Sequence, residues 1–279
     1  MTYYLEQSEW YRSIIVPEGM NLDMLNEPGR LDILLKPGID LVEKDKIFID
    51  LGCGTGLLGM HALEKGAKFV YFVERDKQMA KIIKEILPTK IDATKFKIIN
   101  KDVESLVSSD FDYGDPEVVV SEFYGPRMFD EGYVNYTKHI KSMFPNCMFI
   151  PETFKGEFSV VDINYSDPIW PKDANLIDYF KMMYRDKAFA NWFGFENHRH
   201  IGDIVFDADN QTFKNSVKFN FDSKEHKMIC GVMTAEHQGL RQYRVTIGWI
   251  LGPSDYNKQF EIYFDVNEFF NPRIKEIQS

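Results

Sequence analysis

Apolar and polar positions alternate along this chain in two different grammars, and the change comes near Pro151. Before it, short apolar runs are separated by segments of helical period. Ile47–Ile49, Val70–Val73, Lys97–Ile99 and Glu117–Val120 read as buried strands. Between and after them, Leu57–Lys65 stops at Gly66, Asp76–Leu87 is ended by Pro88, and Gly132–Met143 again has helical spacing. Strands that alternate with helices build a parallel, doubly wound sheet whose ligands sit at the carboxyl ends of its strands. After Pro151 the segments Phe158–Ile163, Val217–Phe221, Met228–Thr234, Tyr243–Leu251 and Gln259–Val266 read as β with no helices between most of them. The exception is Ile169–Phe195, an apolar helical stretch with Trp170, Leu176, Tyr179, Phe180, Met182, Met183 and Trp192. Such a face must be buried, either on its own chain or on a second copy, and dimer contact is the expectation.

The predicted architecture is therefore α/β: a doubly wound, Rossmann-like sheet over residues 47–150, then a β-rich, barrel-like domain over 151–279. A helical arm at about 166–200 is inserted in the second, and a helical segment, 1–46, precedes the first. A chain of 279 residues accommodates one large domain or two modest ones.

Candidate chemistry begins at the first strand. Asp50 closes it, and Gly52, Gly54 and Gly56 follow at alternate positions before Leu57 opens the helix. Glycines so spaced let the backbone turn tightly and approach a ligand where a side chain would collide. Glu74 ends the second strand, suited to gripping two ribose hydroxyls. A nucleoside-bearing ligand is expected here. Gly54-Thr-Gly-Leu-Leu-Gly59 also satisfies the dinucleotide fingerprint, so the glycines alone do not choose between cofactors. Asp50 tips the balance, because an acid ahead of the glycines repels a pyrophosphate but accepts from an ammonium or a ribose hydroxyl. Asp-Leu-Gly-Cys-Gly-Thr-Gly resembles the first motif of class I S-adenosylmethionine methyltransferases.

A second acid pair follows. The buried strand Glu117–Val120 delivers Glu122 at its carboxyl end, Gly125-Pro126 turns the chain, and Glu131 comes nine positions after Glu122. Two carboxylates returned to one pocket repel each other unless they share a proton or a cation. A guanidinium, whose fork of N–H donors matches carboxylates bidentately, is a fitting partner. The less favoured reading of Glu131 is a solvated acid at a helix start beside Asp130.

Ser-Glu-Phe-Tyr-Gly with its second Glu resembles the double-glutamate loop of protein arginine methyltransferases. Asn21–Arg30, with Met24-Leu25, Glu27 and Arg30, resembles that family's helix ahead of the catalytic domain. Asp102-Val103-Glu104 stands where the family places a Val-Glu pair near adenine. The likeness covers residues 20–160 in motifs and the remainder in architecture. It implies S-adenosyl-L-methionine as cofactor, with Arg30 on its carboxylate, Glu74 on the ribose and Glu104 or Asp102 on the adenine edge. It implies Glu122 and Glu131 as the clamp on a guanidino substrate, protein-borne or free, and a homodimer. The family's Thr-His-Trp loop is not recognisable. Its nearest counterpart is Gln238-Gly239-Leu240, with His237 just upstream, and the family's helix His and Asp are Asn21 and Glu27 here. His237 either takes the role of that histidine through a shifted loop or is an ordinary surface histidine, the preferred reading; His198 and His200 are read as surface residues.

The remaining composition narrows the field. A formal charge of −10 disfavours a nucleic-acid backbone as partner. The strand end Ser-Glu-Phe-Tyr also differs from the Asn/Asp-Pro-Pro-Tyr motif of base methyltransferases. Cys53, Cys147 and Cys230 form no metal-spaced cluster, so no metal and no disulfide is expected. No apolar run reaches membrane-spanning length and the start is not a signal peptide, so a cytoplasmic protein without a membrane partner is expected. Competing readings are a methyltransferase with another amine, carboxylate or hydroxyl acceptor, a dehydrogenase using the glycine loop, and an inactive scaffold that kept the fold.

Overall fold

The computed structural model describes residues 31–123, 132–162, 199–265 and 273–277. Five strands form the first sheet: β1 Ile47–Leu51, β2 Phe69–Val73, β3 Phe96–Ile99, β4 Val118–Ser121 and β5 Met148–Ile150. Their order is β3-β2-β1-β4-β5, and every pair is parallel. All residues of β1, β2 and β4 are buried, which explains why they appear in the sequence as unbroken apolar runs rather than alternations. Among the described residues four helices accompany the sheet: α1 Leu35–Asp40, α2 Leu57–Glu64, α3 Lys77–Ile86 and α4 Tyr133–Met143. Asp76 caps α3 by accepting from the amides of Gln78 and Met79, both at 2.9 Å.

Close packing of α2 on the sheet depends on Gly59. A Cβ there would lie 2.7 Å from Cζ of Phe72 and 2.9 Å from Val70 Cγ1, so only glycine lets the helix approach β2 this closely. The chain winds outward from β1 to β3 and then crosses back to place β4 on the other side of β1. The strand order reverses at the carboxyl ends of β1 and β4, the position where open α/β sheets bind ligands.

Beyond Pro151 the strands are antiparallel. One sheet runs β11-β10-β6-β7-β8, from β6 Thr153–Asp162, β7 Arg199–Asp207, β8 Thr212–Lys214, β10 Lys227–His237 and β11 Leu240–Leu251. A second runs β13-β12-β9, from β9 Ser216–Phe221, β12 Lys258–Tyr263 and β13 Arg273–Ile277. Their hydrophobic core is continuous with that of the parallel sheet, with Tyr133 of α4 packed edge-on against Phe154 of β6 at 4.4 Å between ring centroids. The hydroxyl of Tyr133 donates to the Pro151 carbonyl at 2.6 Å, fixing the chain where the two sheet types meet.

β5, β7, β8 and β13 are not among the expected strands; all of them are short or built from mixed polar residues at a sheet edge or next to one. The arm expected at 166–200 lies almost wholly outside the described residues, as does most of the N-terminal segment 1–46. Among the described residues no helix is long and apolar enough to cross a membrane.

Candidate active site

Asp50 sits one residue before the end of β1 and is only 2% exposed. Its Oδ2 accepts from the Gly59 amide at 2.8 Å, so the first strand is tied to the start of α2 through a carboxylate. Burial pushes the Asp50 carboxyl up to about 8, the Gly59 amide opposes that shift, and the neighbouring Glu74 charge adds to it. The glycine loop then follows. Gly52, Gly54 and Gly56 all take positive φ, at 67°, 49° and 76°. The Cys53 amide donates to the Val73 carbonyl at 2.9 Å and holds the loop against β2, while burial drives the Cys53 thiol well up and leaves it a poor nucleophile.

Glu74 lies just past the end of β2. Its Oε2 accepts from the Gly54 amide at 3.0 Å and its Oε1 from the Asp76 amide at 2.8 Å. Each oxygen has accepted one hydrogen bond and retains capacity for another, as a ribose diol requires. Asn100, absent from the sequence-based list of site residues, holds the chain behind Glu74. Its amide group donates to the carbonyls of Glu74 at 2.7 Å and Arg75 at 3.2 Å. An Asn directly after a strand is a turn signal, and that was the available clue.

At the end of β3, Asp102 accepts from the Glu104 amide at 3.0 Å and lies 3.7 Å from the Arg75 guanidinium. Val103 is buried and Glu104 is exposed. Glu122 follows β4 directly and is half-buried. The ring of Phe123 lies over Gly52 and meets Tyr136 of α4 edge-on, with centroids 5.1 Å apart. Asp50, Gly52, Gly54, Gly56, Glu74, Asp102, Val103, Glu104 and Glu122 thus gather along one edge of one sheet. Arg30 and Glu131 lie outside the described residues.

One expectation is overturned. His237 is not a surface histidine but 0% exposed, at the end of β10. The β10–β11 hairpin turns at Gln238 and Gly239, both at positive φ, and this two-residue turn directs His237 inward. Its Nδ1 lies 3.0 Å from Oε2 of Glu152, whose Oε1 accepts from the Gln238 amide at 3.2 Å. The ring packs on Gly38 of α1, where a Cβ would stand 3.1 Å from its Cδ2. Burial holds the His237 ring below its ordinary value, against the opposing pull of Glu152. Sequence could not reveal this pair, since its partners are 85 positions apart. His200 is exposed as expected, and His198 lies outside the described residues.

With this geometry in view, comparison with known proteins adds likenesses of three kinds. A family model described as "Conserved hypothetical protein 95" matches residues 38–119, from α1 to the start of β4. Protein arginine N-methyltransferase 1 of Oryza sativa subsp. indica is 35% identical over 92 residues, 33% of this chain and 23% of that protein. The protein of the same name from Dictyostelium discoideum is 28% identical over 142 residues, 47% of this chain and 40% of the relative. The chain therefore spans less than half the length of these relatives. Two solved structures align over far more. "Crystal structure of PRMT6-SAH" superposes with TM-score 0.55 at 11% identity, covering 91% of this chain and 98% of that one. The Trypanosoma brucei PRMT1 enzyme-prozyme heterotetrameric complex with AdoHcy gives 0.57 at 16% identity, covering 88% and 87%.

This is the arginine methyltransferase fold. The chain keeps the parallel sheet and the antiparallel sheets in the expected order, and the family model falls on the stretch that carries Asp50, the glycine loop and Glu74.

Proposed function

We propose that the protein is an S-adenosyl-L-methionine-dependent N-methyltransferase acting on a guanidino group. The observation that carries the reading is the strand order. Across β3-β2-β1-β4 the carboxyl ends present Asp102 to Glu104, then Glu74, then the glycine loop, then Glu122. Adjacent strands stand about 4.8 Å apart, so this row has the length of an extended adenosyl amino acid. Adenine fits beside Asp102 and Glu104, the ribose on Glu74, and the sulfonium segment near the mouth of β1, leaving Glu122 beside the methyl group. Arg30 is assigned to the carboxylate of the donor, and Glu131 to the second carboxylate on the substrate.

S-adenosylmethionine supplies an already activated methyl group. The protein's part is to align the attacking nitrogen with the carbon–sulfur bond and to hold charge in place. A guanidinium spreads its charge over three nitrogens and is a poor nucleophile. A carboxylate hydrogen-bonded to two of them draws the charge there and leaves the third nitrogen its lone pair. With the donor bound, that nitrogen would form the new bond to carbon as the sulfur takes the electron pair of the broken one, and the methylated nitrogen would give its proton to solvent.

The test uses an isotopically labelled methyl donor with a cell lysate split into protein and small-molecule fractions. Label in either fraction, competed by excess arginine or an arginine peptide, supports the reading. Glu122→Gln is expected to lower transfer at least about 100-fold while S-adenosylhomocysteine binding stays within about three-fold. Unchanged turnover in that variant refutes the clamp. The apolar stretch at 166–200 is proposed as a homodimer arm, which sedimentation of the full chain against a deletion of that stretch checks.

A further inference from the structure

Phe123 is aromatic, half-buried and placed directly after Glu122, yet the reading above gives it no part. Its ring lies on the face of Gly52. A Cβ at Gly52 would stand 3.0 Å from Cε2 of the ring and closer still to Cζ and Cε1. Gly52 also takes φ 67°, so its backbone presents a bare surface in a conformation that other residues resist.

The topology makes that surface important. Glu74 stands at the end of β2 and Glu122 at the end of β4, with β1 between them. A donor whose ribose rests on Glu74 and whose methyl group faces a nitrogen held by Glu122 must cross the end of β1. The first residue beyond β1 is Gly52, and the ring of Phe123 covers it. The remainder of the ring is held by an edge contact to Tyr136.

We propose that Phe123 sets the affinity of this cleft for the methyl donor by competing with the sulfur-bearing segment of that donor for the face of Gly52. The inference rests on the proposed function and adds a residue to it. Seating the donor requires the ring to leave Gly52, and its packing there is lost from the binding energy. Removing the ring removes that cost.

Calorimetric titration of the full chain with S-adenosylhomocysteine tests this by its sign. Phe123→Ala is expected to bind about ten-fold more tightly than the parent, equivalent to about 1.4 kcal/mol, with Phe123→Leu between the two. Equal or weaker binding by both variants overturns the proposal, because it makes the ring a supporting wall rather than a competitor. If Phe123→Ala fails to fold, Phe123→Leu carries the comparison. A site-specific 4-fluorophenylalanine at 123 gives a second readout in an otherwise unchanged chain. Its 19F resonance is expected to shift on saturation with S-adenosylhomocysteine, and a resonance that stays in place overturns the proposal. Absence of binding by parent and variants alike refutes the methyl-donor reading itself, and this inference with it.

Discussion

Replacing Asp50 with Asn tests the electrostatics of the site more sharply than any other single change. Asp50 is buried, its carboxyl is raised to about 8, and burial is the main cause. An unfolded chain ionises the same group near about 3.9. Between those values the folded protein keeps a proton that the unfolded chain has released. Rising pH therefore favours unfolding, and stability falls from about pH 4 to about pH 8 before levelling off. Each pH unit in that window corresponds to about 1.4 kcal/mol, so the penalty at pH 7 is on the order of 4 kcal/mol as an upper bound.

Asn at position 50 keeps an oxygen for the Gly59 amide and carries no ionisable group. Asp50→Asn is thus expected to be about as stable as the parent near pH 4.5, and more stable by roughly 2–4 kcal/mol at pH 7.5. Urea unfolding of both proteins at several pH values in this range measures the difference. A constant difference across pH, or a less stable Asn variant at pH 7.5, refutes the argument. The same variant is expected to lose affinity for S-adenosylmethionine, because the donor's ammonium is the partner expected for the Asp50 carboxyl and draws off the proton that burial otherwise holds there. A gain in stability joined to a loss in binding is the signature of a residue kept for its site rather than its fold.

Three other outcomes follow from particular contacts. Gly59→Ala places a methyl group against Phe72 and Val70 and is expected to cost about 1–3 kcal/mol in urea unfolding. Adding Phe72→Leu should recover part of that loss. For His237, a ring held below its ordinary value means that the unfolded chain takes up a proton first as pH falls, so stability drops below about pH 6.5. His237→Gln should flatten that acid limb in thermal melts from about pH 5 to 7.5, and an unchanged limb would assign it to other groups. Gly52→Ala adds a Cβ that meets the Phe123 ring, and pairing it with Phe123→Ala should relieve the clash but retain the strain at positive φ, about 1 kcal/mol. Strict additivity in that double-mutant cycle would show that the two residues do not touch.

The parallel sheet was legible because both of its faces are buried. Residues such as Ile47–Ile49 and Val118–Val120 had to be uniformly apolar, and the glycines at 52, 54 and 56 had to interrupt them at the strand end. Asp50, Glu74 and Glu122 stood out for the same reason, as acids ending runs that otherwise tolerate none. Edge strands such as β8 and β13 escaped notice because one side meets water and their side chains follow no strict period.

Sequence by itself therefore determined β1 to β4, where their carboxyl ends fall and which acids stand there, since these depend on local burial and backbone geometry. Tertiary structure alone decided the side-by-side order of the strands, which lines the acids up in one row and lays Phe123 across Gly52. It also decided the fate of His237. No local pattern marks a histidine for burial; its partner Glu152 and the bare helix surface at Gly38 meet it only after the antiparallel sheet has folded against the parallel one.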